Sequence, residues 1–144
     1  MIFRLRLATL EDEPVLEEIE RACFPSCHWT AQDFREHDCV VVEYEGRVAG
    51  FVVSREVYSG NEAEPREIEI LNLAVLPAFR RLGFARALLN DMLAQPGVYF
   101  LEVRESNRPA QCLYQQFGFS QISLREDYYE LPNESAIVMR FEQC

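Results

Sequence analysis

Between residues 75 and 86 the chain reads Val75-Leu76-Pro77-Ala78-Phe79-Arg80-Arg81-Leu82-Gly83-Phe84-Ala85-Arg86. A strand pattern ends, a short loop carries paired arginines, and a helical pattern opens at a glycine with small residues nearby. Glycine lets the backbone come close to a ligand, and the first N–H groups of a helix have no acceptor within it. With the helix dipole and arginines beside them, such groups suit an anion of the pyrophosphate type. Further on, Glu102 interrupts the apolar run Phe100-Leu101-Glu102-Val103. Burial there can raise a carboxyl pKa until the group works as a base near neutrality. Tyr114, in Leu113-Tyr114-Gln115-Gln116-Phe117-Gly118-Phe119, offers a phenol that can give a proton to a leaving group. Each feature taken singly also has an ordinary reading: a helix start with solvated arginines, a solvated strand glutamate, a core tyrosine.

These residues need elements to hold them. Residues 2–7 alternate Phe3, Leu5 and Leu7 with Arg4 and Arg6, the period of a half-buried strand. Thr9 with Asp12 marks a helix start; Val15, Leu16, Ile19, Ala22 and Cys23 then share one helical face until Phe24-Pro25 stops it. Thr30 with Asp33 opens a short second helix toward Arg35. Residues 39–44, a Glu45-Gly46 turn and residues 48–57 read as a hairpin. A polar loop over 59–65 leads to a strand over 66–75, which Pro77 ends. A helix over 83–94, a turn at Gln95-Pro96-Gly97, a strand over 98–103 and a helix from Pro109 to a Gly118 cap follow. The last strands fall near 119–124 and 136–141, flanking a polar stretch. This order predicts an α/β (α+β) chain: a central mixed, mostly antiparallel sheet flanked by helices, in one domain over residues 1–144.

Composition narrows the function. The 144 residues are 49% hydrophobic and 26% charged, an ordinary globular balance. A net charge of −10, from 24 acidic and 14 basic residues, speaks against a nucleic-acid binder, which needs a basic face. No apolar run suffices to span a bilayer, and the alternating N-terminus lacks a signal peptide's apolar block, so a cytoplasmic protein with no membrane partner is expected. The 5 cysteines form no regular framework. Cys23, Cys27, His28, His37 and Cys39 lie close together and could in principle ligate zinc. Without a C-x-x-C pair, and with Cys23 on an apolar helix face, no metal is expected. Nothing in the sequence fixes an oligomeric state.

Arg80-x-x-Gly83-x-Ala85 with a helix behind it resembles the pyrophosphate loop of the GNAT acetyltransferases, with Ala85 at a position where glycine is commoner. Leu113-Tyr114-Gln115-Gln116-Phe117-Gly118-Phe119 resembles their C-terminal signature. More narrowly, Leu101-Glu102-Val103-Arg104 with Ser106-Asn107 resembles the bacterial ribosomal-protein-alanine N-acetyltransferase branch. So do Phe24-Pro25 with Trp29, and Arg125 to Tyr129 with Ala136 to Met139. The resemblance covers essentially the whole chain and implies a single GNAT-like domain that transfers an acetyl group from acetyl-CoA to an amine. It implies that the backbone of Leu73, Ala74 and Val75 holds the acetyl and pantetheine end and stabilises the oxyanion. The loop of Arg80, Arg81, Leu82, Gly83, Phe84, Ala85 and Arg86 would cradle the pyrophosphate, and Asn107 would touch the pantetheine arm. Glu102 would accept the amine proton and Tyr114 would protonate the CoA thiolate. Trp29, Tyr128 and Tyr129 would border a peptide groove, although aromatic packing explains them equally well. The implied acceptor is a protein N-terminus, with a ribosomal protein among the candidates.

Two other readings stay open on the residues: a GNAT enzyme acting on lysine or a small amine, and a non-catalytic acyl-CoA-binding module. The module needs only the loop at 80–86; the presence of both Glu102 and Tyr114 favours the enzyme.

Overall fold

The computed structural model describes residues 1–25, 29–57, 60–130 and 132–144. Seven strands form one mixed sheet: β1 (Phe3–Leu7), β2 (Asp38–Tyr44), β3 (Arg47–Val57), β4 (Glu67–Val75), β5 (Gly97–Arg104), β6 (Ser120–Glu130) and β7 (Asn133–Gln143). Their order is β1-β2-β3-β4-β5-β7-β6. Four α-helices accompany them: α1 (Glu13–Cys23), α2 (Ala31–Arg35), α3 (Phe84–Leu93) and α4 (Arg108–Gln116). β4 and β5 run parallel, whereas β1–β2, β2–β3, β5–β7 and β6–β7 pair antiparallel. This is the fold class that the element order predicts. Contacts gather the chain into two compact units, Met1–Arg55 with Leu71–Ala94, and Glu56–Ile70 with Gln95–Cys144.

In the first unit, β3 is buried without a break from Val48 to Val53. Continuous burial means that both strand faces are covered, so alternation vanishes from its sequence. Leu16 and Ile19 of α1 pack with Phe34, Val41, Phe51, Val53 and Ala74. Each such Leu, Ile, Val or Phe side chain removed from water contributes about 1.5–3 kcal/mol. The Asp12 carboxylate accepts the Thr9 N–H at 2.7 Å, and the Asp33 carboxylate accepts the Thr30 N–H at 2.8 Å, so both expected helix starts carry their acid. Ala22 is exposed, not on the packed face of α1.

In the second unit, Ile68 and Ile70 of β4 lie in register with Tyr99 and Leu101 of β5. Tyr114 of α4 meets Phe119 edge to face at 5.7 Å, and Phe119 meets Phe141 at 5.5 Å. Gly118 (φ 104°) follows α4 in the left-handed region, as a helix C-cap requires. The polar stretch expected between the last two strands is instead strand on both sides of the turn. β6 ends the sheet order and is exposed along almost its whole length, so neither face imposes the apolar period that marks a strand.

Candidate active site

The first unit holds the end of β4 and the loop behind it. A Cβ on Gly50 of β3 would lie 2.6 Å from the Ala74 carbonyl oxygen, so only glycine allows this approach. The Leu76 N–H donates to the Ala49 carbonyl at 2.9 Å and extends the pairing past the strand. Arg80 Nε donates to the Val75 carbonyl at 3.1 Å, and its Nη2 lies 3.4 Å from Cys23 Sγ. Arg80 thus braces the strand end from which the loop departs. Arg81 (φ 68°) and Gly83 (φ 87°) both adopt left-handed backbone. A Cβ on Gly83 would meet nothing within 4 Å, so glycine serves conformation there. The Ala87 N–H donates to the Gly83 carbonyl as α3 opens, which leaves the N–H groups of Phe84 and Ala85 ahead of the helix's first acceptor. Arg81, Leu82, Gly83 and Arg86 are exposed. Phe84 is buried, 5.3 Å from Phe3 and 5.2 Å from Tyr44, so only its backbone is available to a ligand. A left-handed turn into forward-facing N–H groups with arginines alongside fits a pyrophosphate, and hence acetyl-CoA.

Trp29 is half-buried, its ring 5.4 Å from Phe34 and 5.7 Å from His37. Its backbone N–H donates to Glu20 Oε2 at 3.0 Å, and Asn72 Nδ2 donates to Glu20 Oε1 at 2.7 Å. The sequence reading misses Glu20 and Asn72. The available signal was a charged residue four positions after Leu16 and one after Ile19, among the apolar positions of α1.

The second unit holds the residues expected to move protons. Glu102 of β5 pairs with Val138 of β7, and Val138 with Ser123 of β6, so these three share a sheet face. Arg125, two residues beyond Ser123, shares it too, and its Nη1 donates to Glu102 Oε1 at 2.7 Å. β6 then bulges: Arg125 opposes Ala136, yet Tyr129 opposes Glu134, with Asp127 between them at φ 51°. Alternation alone would send Arg125 and Tyr128 to opposite faces. The bulge carries Tyr128 toward the side that Arg125 already shares with Glu102, where the carboxylate acts on the phenol. The neighbouring Glu102 carboxylate, followed by burial, raises the Tyr128 pKa. Tyr128 and Tyr129 meet edge to face at 5.1 Å. The Arg125 guanidinium stands 4.3 Å from the Tyr128 ring and that of Arg104 4.2 Å from the Tyr129 ring. Burial first, and the Glu102 charge second, push Tyr129 up to about 12.

Tyr114 is buried, and desolvation pushes its phenol well above the ordinary tyrosine value, with Tyr129 adding to the effect. Asn107 Oδ1 accepts the Ala110 N–H at 3.2 Å and so caps α4. Gln111, also unremarked in the sequence, is buried and donates to the carbonyls of Arg104 and Glu105 at 3.1 and 2.8 Å, tying α4 to the end of β5.

Among the described residues, no three potential ligands gather as a metal site. Cys27 and His28 lie outside the described residues. Cys39 is buried, and burial pushes its thiol up to about 12. Among the described residues no helix is long and apolar enough to cross a membrane.

Comparison with known proteins completes the picture. An N-alpha-acetyltransferase of Sulfolobus acidocaldarius is 31% identical over 88% of this chain and 85% of its own length. The [ribosomal protein bS18]-alanine N-acetyltransferase of Haemophilus ducreyi is 42% identical over 51% of this chain and 56% of its own. The crystal structure of the ribosomal-protein-S18-alanine N-acetyltransferase from Escherichia coli superposes with a TM-score of 0.83 at 25% identity, covering 98% of this chain and 94% of that one. The sequence pattern of the Acetyltransferase (GNAT) family, acetyl-CoA-dependent enzymes, matches residues 5–119, which span the β4 end, the arginine loop, Glu102 and Tyr114. With that match running through both candidate regions, the chain belongs to the GNAT family of acetyltransferases.

Proposed function

We propose that this enzyme acetylates the N-terminal α-amine of a protein, with ribosomal-protein-alanine acceptors as the leading class. The observation that carries the reading is the likeness, over 88% of the chain, to a relative named for N-alpha-acetyl transfer. The alanine-specific relatives, matched over shorter stretches, narrow the acceptor.

The N–H groups opening α3 and the side chains of Arg81 and Arg86 hold the donor's pyrophosphate. The backbone of Leu73, Ala74 and Val75 takes the thioester end, where an N–H stabilises the oxyanion as the amine nitrogen bonds to the carbonyl carbon. Glu102, directly or through water, takes the proton that the attacking nitrogen loses. As the carbon–sulfur bond breaks, Tyr114 donates to the departing thiolate. An ordinary thiol has a pKa of about 8.5, below an ordinary tyrosine at about 10 and further below the raised Tyr114 phenol, so full transfer requires that exclusion of water raise the thiolate as well. Asn107 helps to seat the pantetheine arm, while Trp29, Tyr128 and Tyr129 contact the acceptor peptide. No covalent acyl-enzyme is needed, since alignment of two bound reactants supplies much of the rate.

The acceptor's own chemistry supports the choice. At pH 7.5 roughly a third of an α-amine is neutral, against about one lysine in eight hundred, an advantage of about 3 kcal/mol. The test compares a short peptide bearing a free N-terminal alanine with its N-blocked twin carrying one internal lysine. The free-alanine peptide should be acetylated faster; faster modification of the blocked lysine peptide overturns the assignment.

A further inference from the structure

Glu20 is only 2% exposed, on the packed face of α1. Its two carboxylate oxygens serve different elements: Oε1 accepts from Asn72 on β4 at 2.7 Å, and Oε2 from the Trp29 backbone at 3.0 Å. Helix, strand and the approach to α2 therefore meet on one side chain. Burying a carboxylate is expensive, and exchanging a whole buried polar set, partners included, for apolar groups of similar volume is often neutral or stabilising. Stability alone is thus a poor account of this glutamate.

The partners suggest a better one. Asn72 directly precedes the Leu73–Val75 stretch, and Trp29 is one of the three aromatic side chains that we assign to the acceptor side. The Trp29 ring is steadied by Phe34 and His37, which leaves its backbone to be fixed by Glu20. We propose that Glu20 is a positioning residue: through Asn72 it sets the place of Trp29 along β4, and so sets affinity for the acceptor peptide without touching the reacting atoms. The role rests on the N-terminal acetyltransferase reading above. It requires a bridge between two donors, not a charge. A glutamine can keep that bridge, with its oxygen on the Trp29 N–H and its amide nitrogen facing an Asn72 side chain turned about. Leucine supplies no acceptor at all.

Trp29 is the chain's only tryptophan, so its fluorescence reports on its own placement. The experiment compares Glu20→Leu, Glu20→Gln and Asn72→Leu with the wild type. The readouts are thermal unfolding, Trp29 emission, acetyl-CoA calorimetry and kinetics on the free-alanine peptide. Glu20→Leu, which takes the acceptor from the Asn72 amide and the Trp29 N–H, should fold with a lowered Tm, shift the Trp29 emission and raise peptide KM about tenfold, while acetyl-CoA affinity stays within about twofold. Asn72→Leu breaks the bridge from its other end and should give the same signature, which keeps the test open if Glu20→Leu fails to fold. Glu20→Gln should behave like the wild type. The proposal falls if Glu20→Leu and Asn72→Leu leave emission and peptide KM unaltered, or weaken acetyl-CoA and peptide equally. It also falls if Glu20→Gln is as impaired as Glu20→Leu. Emission and calorimetry need no turnover. A wild type inactive on the free-alanine peptide would refute the acceptor reading, while the Glu20–Trp29 tie would still be judged by emission.

Discussion

Arg125 on β6 reaches Glu102 on β5 at 2.7 Å although β7 runs between those strands. The residue facing both Arg125 and Arg104 on β7 is Ala136, whose small side chain leaves the long arginine room to cross. The carboxylate that we assign as base is therefore aimed by the closing hairpin. Glu102→Gln keeps shape and hydrogen-bonding reach but cannot take a proton. It should lower kcat/KM by about a hundredfold to ten-thousandfold at pH 7.5, with acetyl-CoA affinity unchanged by calorimetry. Arg125→Gln loosens the carboxylate without removing it and should fall between wild type and Glu102→Gln. A Glu102→Gln enzyme with wild-type kcat/KM would dismiss the base.

Tyr114 permits a test in which mutation and pH are read together. Its burial holds the phenol protonated well past the ordinary range, so below about pH 10 its titration cannot limit the rate. Tyr114→Phe should reduce kcat by about a hundredfold or more and leave the shape of the pH–rate profile unchanged below that pH. A fall in the wild-type rate near pH 9 that disappears in Tyr114→Phe would show the phenol titrating where burial forbids it.

How much of this was legible beforehand follows from where each signal lives. The capping acids Asp12 and Asp33, the Gly83 turn and the Gly118 cap act within a few residues of themselves, so spacing reveals them. The strand over 66–75 is recovered because Ile68 and Ile70 alternate with acids. The extension of β6 is hidden because an exposed edge strand carries no apolar period, and the early start of β7 follows only from pairing with it. The bulge at Asp127 is hidden for a different reason: a change of register depends on the partner strand, and it decides that Tyr128 joins Arg125 on the side of Glu102. Glu20 and Asn72 lie 52 positions apart, a pairing that only the folded chain creates. Arg80 was legible as a motif residue, yet its turn back onto Val75 was not.

Gly50 and Gly83 should fail differently. At Gly50 the obstacle is space: a methyl group would press on Ala74 and Val75 backbone that pairing holds in place. Gly50→Ala should cost about 1–3 kcal/mol in denaturant unfolding and weaken acetyl-CoA by displacing the Leu73–Val75 backbone. At Gly83 the space is open and only the left-handed backbone resists, so Gly83→Ala should cost about 1–2 kcal/mol. Gly83→Glu adds a negative charge at the expected pyrophosphate and should abolish acetyl-CoA binding in calorimetry. Normal binding by Gly83→Glu would mean that the donor site is wrongly assigned.

The last prediction concerns acid stability and is independent of the catalytic reading. Asp12 is nearly buried, with Arg6 Nη1 at 2.8 Å from Oδ2, Arg6 Nη2 at 3.0 Å from Oδ1 and the Thr9 N–H at 2.7 Å from Oδ2. Hydrogen bonding to Arg6 is the largest cause that lowers its pKa below the ordinary 3.8, against an opposing push from burial. A carboxylate with a lowered folded pKa binds fewer protons folded than unfolded as pH falls through that range. Its stabilisation is therefore complete above the unfolded value and is lost as pH drops through the folded one. Asp12→Asn keeps the size and one acceptor oxygen but gives up the charge and the two-oxygen grip on Arg6. It should cost about 1–3 kcal/mol at pH 7, and the gap to wild type should narrow steadily from about pH 4 downward. Urea unfolding of both proteins between pH 7 and pH 2 measures the gap directly. If it stays constant over the whole range, the Asp12 charge contributes nothing to stability and the loss at neutral pH comes from packing alone.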